Sequence, residues 1–94
     1  MKQDDSYTIY ILFSEKDKRL YVGCTSNLEN RLKRHCSGNV PATKFRQPLV
    51  LIHQENFTSK ALAFNRERFL KSLWGAREKK MILKQYLESK GIKS

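Results

Sequence analysis

The sequence predicts a small α/β fold of the α+β kind: a three-stranded, mostly antiparallel sheet flanked by helices. Three observations carry this. Residues 7–13 alternate in polarity like a strand, with a second short apolar run close behind. Two later stretches show helical spacing with recognisable start signals. Between them lies the continuous apolar run Leu49-Val50-Leu51-Ile52. With 94 residues the chain is expected to form one domain, 1–94, with a core over about 7–74 and a basic C-terminal helix over about 76–89.

In the first strand Tyr7, Ile9, Ile11 and Phe13 share one face, and Thr8, Tyr10 and Leu12 the other. The polar stretch Ser14-Glu15-Lys16-Asp17-Lys18 is turn-like, and Leu20-Tyr21-Val22-Gly23 follows as a second strand. So short a connection favours an antiparallel hairpin, with Gly23 ending the strand where backbone must turn or be closely approached. Such pairing lets Tyr10 and Tyr21 project from one side of the sheet. Each phenol taken alone is explained by strand propensity.

Ser26-Asn27-Leu28-Glu29 fits a capping box with Ser26 as N-cap, and Gly38 supplies the stop after Cys36. Arg31 and His35 lie four apart on this helix and share a face. An Arg clamps phosphate through a charged fork, and a His moves a proton near neutral pH. A solvated basic face, including Lys33 and Arg34, is the alternative.

Residues 40–48 form a loop carrying Thr43, Lys44 and Arg46. The run 49–52 suggests a strand covered on both faces. Thr58 or Ser59 then caps a helix whose apolar stripe is Leu62, Ala63, Phe69, Leu70, Leu73 and Trp74. Glu67 sits at the edge of that stripe, where a carboxylate can hold a hard cation through oxygen. A surface ion pair with Lys71 is the alternative. Arg66 falls near the middle of the stripe, which periodicity does not explain. Gly75 interrupts the helix. A last basic helix, about 76–89, offers Met81, Ile82, Tyr86 and Leu87 for packing.

Lys and Arg number 19 against 9 acidic residues, a formal net charge of +10. A field of that sign draws polyanions, of which nucleic acid is the commonest. Lys33, Arg34, Lys44, Arg46, Lys79, Lys80 and Lys84 are the candidate nucleic-acid contacts. No apolar run is long enough to span a bilayer, and the polar N-terminus lacks a signal-type apolar stretch. A cytoplasmic setting without membrane association is expected, with Cys24 and Cys36 as reduced structural thiols. Their spacing matches no zinc pattern.

Thr8-Ile9-Tyr10 followed by Tyr21-Val22-Gly23 resembles the paired motif of the GIY-YIG nuclease family. Thr25-Ser26-Asn27-Leu28, Arg31, His35, Gly38 and the segment 61–70 with Glu67 extend the resemblance in order. The match is nearest to the small stand-alone bacterial members called URI-domain proteins. The resemblance implies a metal-dependent endonuclease with Tyr10, Tyr21, Arg31, His35 and Glu67 in its catalytic site. One tyrosine would activate or orient the attacking water, and Arg31 would stabilise the phosphoryl charge. His35 would assist proton transfer or orient a phenol. Glu67 would bind a single Mg²⁺ or Mn²⁺, and Gly23 would keep the floor of the site open. It favours DNA over RNA, cut with structure preference or none, in repair or recombination, and admits a repair protein as a further partner. Two departures stand out. Thr8 replaces the Gly of the first motif. No Asn follows Glu67, although many active members carry one there. A degenerate nucleic-acid-binding module therefore remains the alternative, with a small adaptor domain third.

Overall fold

A computed structural model describes residues 6–91; the N-terminal stretch 1–5 lies outside them. The elements in order are β1 (Tyr7–Ser14), β2 (Leu20–Thr25), α1 (Leu28–Cys36), β3 (Leu49–Phe57), α2 (Lys60–Lys71), a 3-10 turn at Leu73–Gly75, and α3 (Ala76–Ser89). The strand order is β2-β1-β3, and both pairings are antiparallel.

The central strand is β1, and its residues from Ile9 to Phe13 are all buried. The apolar run 49–52 is not the doubly covered strand expected. It begins the half-buried edge strand β3, which continues to Phe57. Hydrogen bonding to β1 from one side only is enough to hold such a strand, so its apolar residues cover one flank of the sheet.

Alternation divides β1 cleanly. Ile9 and Ile11 join Val22, Ala63, Leu70 and Ile82 in the main core, beneath α2 and α3. Tyr10 turns to the opposite face, where its ring meets His35 of α1. The sheet is therefore sandwiched, with α2 and α3 on one side and α1 with the loop after it on the other.

Several expected boundaries and contacts shift. The N-cap of α1 is Asn27, not Ser26: the Asn27 side chain accepts from the Asn30 amide at 3.0 Å. Asn satisfies an orphan amide as well as Ser does, so the cap moves one residue on. Strand β2 runs through Gly23 to Thr25 instead of ending at the glycine. Ser59 caps α2, accepting from the Leu62 amide at 3.2 Å. At the other end of α1, Gly38 adopts the left-handed conformation with φ 81°.

The stripe expected on α2 holds only at Ala63 and Leu70. Leu62 and Phe69 are exposed, as are Leu73 at 91% and Trp74 at 83%. For Leu73 and Trp74 the cause is the end of α2 at Lys71, after which the 3-10 turn swings the chain toward α3. Gly75 is pressed so closely on the Phe69 carbonyl and Leu70 Cα that a Cβ has no room. On α3, Ile82 is buried and Tyr86 packs on Phe13, but Met81 is exposed. Cys36 is exposed and Cys24 half-buried, both free thiols, so only Cys24 fits the expected structural part.

Arg66, unexplained by periodicity, has a structural answer. Its guanidinium donates to both Glu55 carboxylate oxygens at 2.8 Å and to Glu78. Glu55 also pairs with His53 at 2.8 Å. One side chain on α2 thereby ties β3 to α3.

Candidate active site

Antiparallel register sets Tyr10 opposite Gly23 and Leu12 opposite Tyr21. The two tyrosines are thus diagonal neighbours on one face, with ring centroids 6.3 Å apart. His35 enters from α1 and lies edge-on to both, 5.6 Å from the Tyr10 ring and 5.1 Å from the Tyr21 ring. The first helix thus delivers its histidine onto the face that the hairpin prepares.

Gly23 has a sharper role than opening a floor. The tip of the Tyr10 ring lies across it, and a Cβ there would run into Cζ and the hydroxyl. Only glycine leaves this path to the β2 edge clear. We expect Gly23→Ala to cost about 1–3 kcal/mol by overpacking and to swing Tyr10 off His35. Thermal unfolding and the near-ultraviolet tyrosine signal check this. A variant with wild-type Tm and an unchanged signal would refute it.

The Tyr10 hydroxyl and His35 Nε2 are hydrogen-bonded at 2.9 Å, and His35 Nδ1 is bonded to the Thr43 hydroxyl at 2.7 Å. All three residues are buried. Burial, with help from Arg31 and Arg34, holds the His35 pKa below its ordinary value, so the ring is neutral at neutral pH. Both of its nitrogens are already engaged. Burial also pushes the Tyr10 phenol well above its ordinary range, which keeps the hydroxyl protonated. Tyr21, by contrast, is only half-buried.

Charges from α1 itself and from one further element, α2, reach this cluster. Arg31 on α1 favours ionisation of the Tyr10 phenol, and Glu67 on α2 opposes it. Glu67 also acts on the Cys24 thiol, as do Lys60 and Lys71. From its place on α2 the carboxylate thus acts on groups of both β1 and β2. Its nearest ion partner is Lys71 at 3.1 Å, the pair anticipated from their spacing.

Tyr10, Tyr21 and His35 thus meet from three elements, and the charges of Arg31 and Glu67 act on the Tyr10 phenol. Among the described residues no group of three or more His, Cys, Asp and Glu side chains could enclose a metal. A lone carboxylate with a side chain 22% exposed suits a hard divalent ion that keeps most of its water, as Mg²⁺ does. It does not suit zinc, which needs several nitrogen or sulfur donors.

The candidate basic contacts divide. Lys33 and Arg34 are exposed on α1, and Lys80 and Lys84 are exposed on α3; Lys79 is half-buried. Lys44 is exposed with its ammonium 5.3 Å above the Phe45 ring. Arg46 is not free for a ligand. It pairs with Asp17 at 2.7 Å and fastens the loop to the hairpin turn, holding the Asp17 carboxyl down to about 2.

Sequence spacing had no means to find Thr43, whose loop position becomes relevant only once His35 is buried against it. Its sole signal is its type, a hydroxyl in a loop next to a helix that carries a histidine.

Comparison with known proteins bears on the fold and the family. The GIY-YIG catalytic domain matches residues 6–81. A UPF0213 protein of Natronomonas pharaonis is 39% identical over 75 residues, covering 79% of this chain and 87% of its own. One from Clostridium perfringens is 41% identical over 86 residues, covering 90% and 86%. The solution NMR structure of a UPF0213 protein from Bacillus halodurans superposes with a TM-score of 0.53 at 31% identity, over 82% of each chain. The fold, the ordered motifs and these relatives lead to one conclusion: the chain belongs to the GIY-YIG family, among its small UPF0213 members.

Proposed function

We propose that this chain hydrolyses phosphodiester bonds in nucleic acid, DNA ahead of RNA, at the cluster of Tyr10, Tyr21, Arg31, His35 and Glu67. The observation that carries the reading is their convergence. Two phenols and an imidazole lie within 6.3 Å of one another, with a guanidinium and a carboxylate acting on the same hydroxyl.

The residues divide the work by exposure. Tyr21 is the phenol that solvent can reach, so its hydroxyl orients the attacking water. Tyr10 and His35 are positioning residues: Thr43 orients His35, His35 holds Tyr10, and Tyr10 backs the cleft. Arg31 supplies fixed positive charge where negative charge grows on the phosphoryl oxygens. Glu67 would hold one Mg²⁺ or Mn²⁺. Such an ion supplies Lewis acidity and orients the phosphate oxygens. Exposed Lys33, Arg34, Lys80 and Lys84 add affinity that does not depend on sequence. No sequence-reading helix or finger stands among the described residues, which favours selection by nucleic-acid structure. Repair or recombination is where such structures arise.

The test uses the full chain with flapped, branched, single-stranded and duplex DNA, and with RNA. Each is incubated with Mg²⁺, with Mn²⁺ or with a chelator. We expect cutting only with a divalent ion, and its loss in Arg31→Ala. Two observations favour the second reading, a binding-only module: Lys71 already neutralises Glu67, and no Asn lies downstream of it. Tight binding in every lane with cutting in none would establish that module instead.

A further inference from the structure

The α2 surface beside Glu67 holds a feature that the hydrolase reading leaves unused. A concavity of about 450 Å³ is lined by Ala61, Phe64, Asn65, Glu67 and Arg68. Phe64, 46% exposed, is one of its walls, with the Lys60 ammonium 5.5 Å from the ring centroid. Helical spacing explains the grouping. Lys60, Phe64, Glu67 and Lys71 follow at i, i+4, i+7 and i+11, a single line along α2. Ala63 and Leu70, which face the core, lie about a quarter-turn round the helix from this line. The exposed ring is therefore not a core residue left uncovered. It stands next to the candidate metal ligand, on the side from which Lys60 and Glu67 both act on Cys24 at the β2 edge.

We infer that Phe64 is a stacking platform for an unpaired nucleobase next to the scissile phosphate. The inference rests on the hydrolase reading and deepens it by naming the substrate: single-stranded nucleic acid, or a duplex with an unpaired nucleotide at the cut. In a duplex each base is already stacked on its neighbours, and a flat aromatic side chain gains nothing by approaching it. An unpaired base offers a free face, and a protein ring can cover it whatever its sequence. The groups around the ring suit this ligand. Lys60 and Arg68 flank it with positive charge for the backbone phosphates on either side. Asn65 presents a donor and an acceptor toward a base edge. The pocket shares Glu67 with the catalytic cluster, so a base seated on Phe64 brings its own phosphate to the carboxylate.

The test measures binding in chelator, where cutting is silent, by fluorescence anisotropy. The ligands are a short oligothymidylate, an abasic strand of the same length and charge, and a fully paired blunt-ended duplex. Phe64→Ala should weaken oligothymidylate binding by about tenfold, as expected for the loss of one stacked base, and leave the other two unchanged. Phe64→Tyr should restore it. Equal losses on all three ligands, or none on oligothymidylate, overturn the inference. So does a wild-type dimer that Phe64→Ala converts to monomer with unchanged binding, since the ring would then be a self-association surface. The hydrolase reading is scored separately by cutting in Mg²⁺. Loss of cutting with intact stacking, or the reverse, tells the two failures apart.

Discussion

Glu67→Gln should lower cleavage in Mg²⁺ by at least about 10²–10³-fold while leaving the fold intact. Glutamine keeps the volume and one oxygen but removes the charge that attracts a divalent ion. The substitution also breaks the pair with Lys71. That costs only a few tenths of a kcal/mol, because the lysine is half in solvent and the pair is a single turn of surface helix. Activity and stability should therefore separate cleanly, with Tm nearly unchanged and cutting lost. Binding of a short single strand in chelator should be retained or slightly strengthened, since a negative charge has left a basic surface. Gel-based cleavage and calorimetry on the same preparation read both quantities. Cutting at the wild-type rate would remove Glu67 from the metal site.

Arg66→Met should have the largest effect on stability. The arginine holds two carboxylates on different elements, and its hydrogen bonds first of all keep the Glu55 carboxyl down at about 2, against an ordinary 4.5. Without it, Glu55 and Glu78 both lose the charge they share. A fully buried pair broken in this way costs about 3–5 kcal/mol. Here the side chains are 23% and 42% exposed, so about 2–3 kcal/mol is expected. For a chain of this size that lowers Tm by about 10–20 °C. The sign of the pH dependence follows from the depressed carboxyl. In the wild type its contribution is complete above pH 4.5 and disappears as pH falls toward 2. The gap between wild type and variant should therefore close over that window. A gap that stays constant to pH 2 would mean that the arginine stabilises through packing alone.

The parts of this structure legible in the sequence are those set by period. Alternation across a hairpin put Tyr10 and Tyr21 on one face, and spacing by four put Arg31 and His35 on another. The Lys71 pairing of Glu67 was visible for the same reason. What was hidden depends on chain reversal and on partners far apart in sequence. The apolar run 49–52 says nothing about whether β3 is central or at the edge, because that depends on which strand takes the middle. Leu73 and Trp74 extend the stripe on a helical wheel, yet α2 ends before them and the turn at Gly75 points them into solvent. Arg66 looked misplaced until Glu55 and Glu78 arrived from β3 and α3. Thr43 lies in a loop with no period at all. Asn27 displaced Ser26 as the cap because two adequate capping residues stood side by side, and only geometry chooses between them.

Placing Tyr10 in the middle strand links the cluster to the slowest motions of the molecule. Middle strands open to hydrogen exchange only when the whole chain does, whereas edges and termini fray at far lower cost. The backbone beneath that phenol is thus anchored by global cooperativity, and mild denaturant has no partial route for loosening it. Adaptation to differently shaped ligands must then come from the outer rim, from α2 side chains and the loop that carries Thr43, and not from the floor.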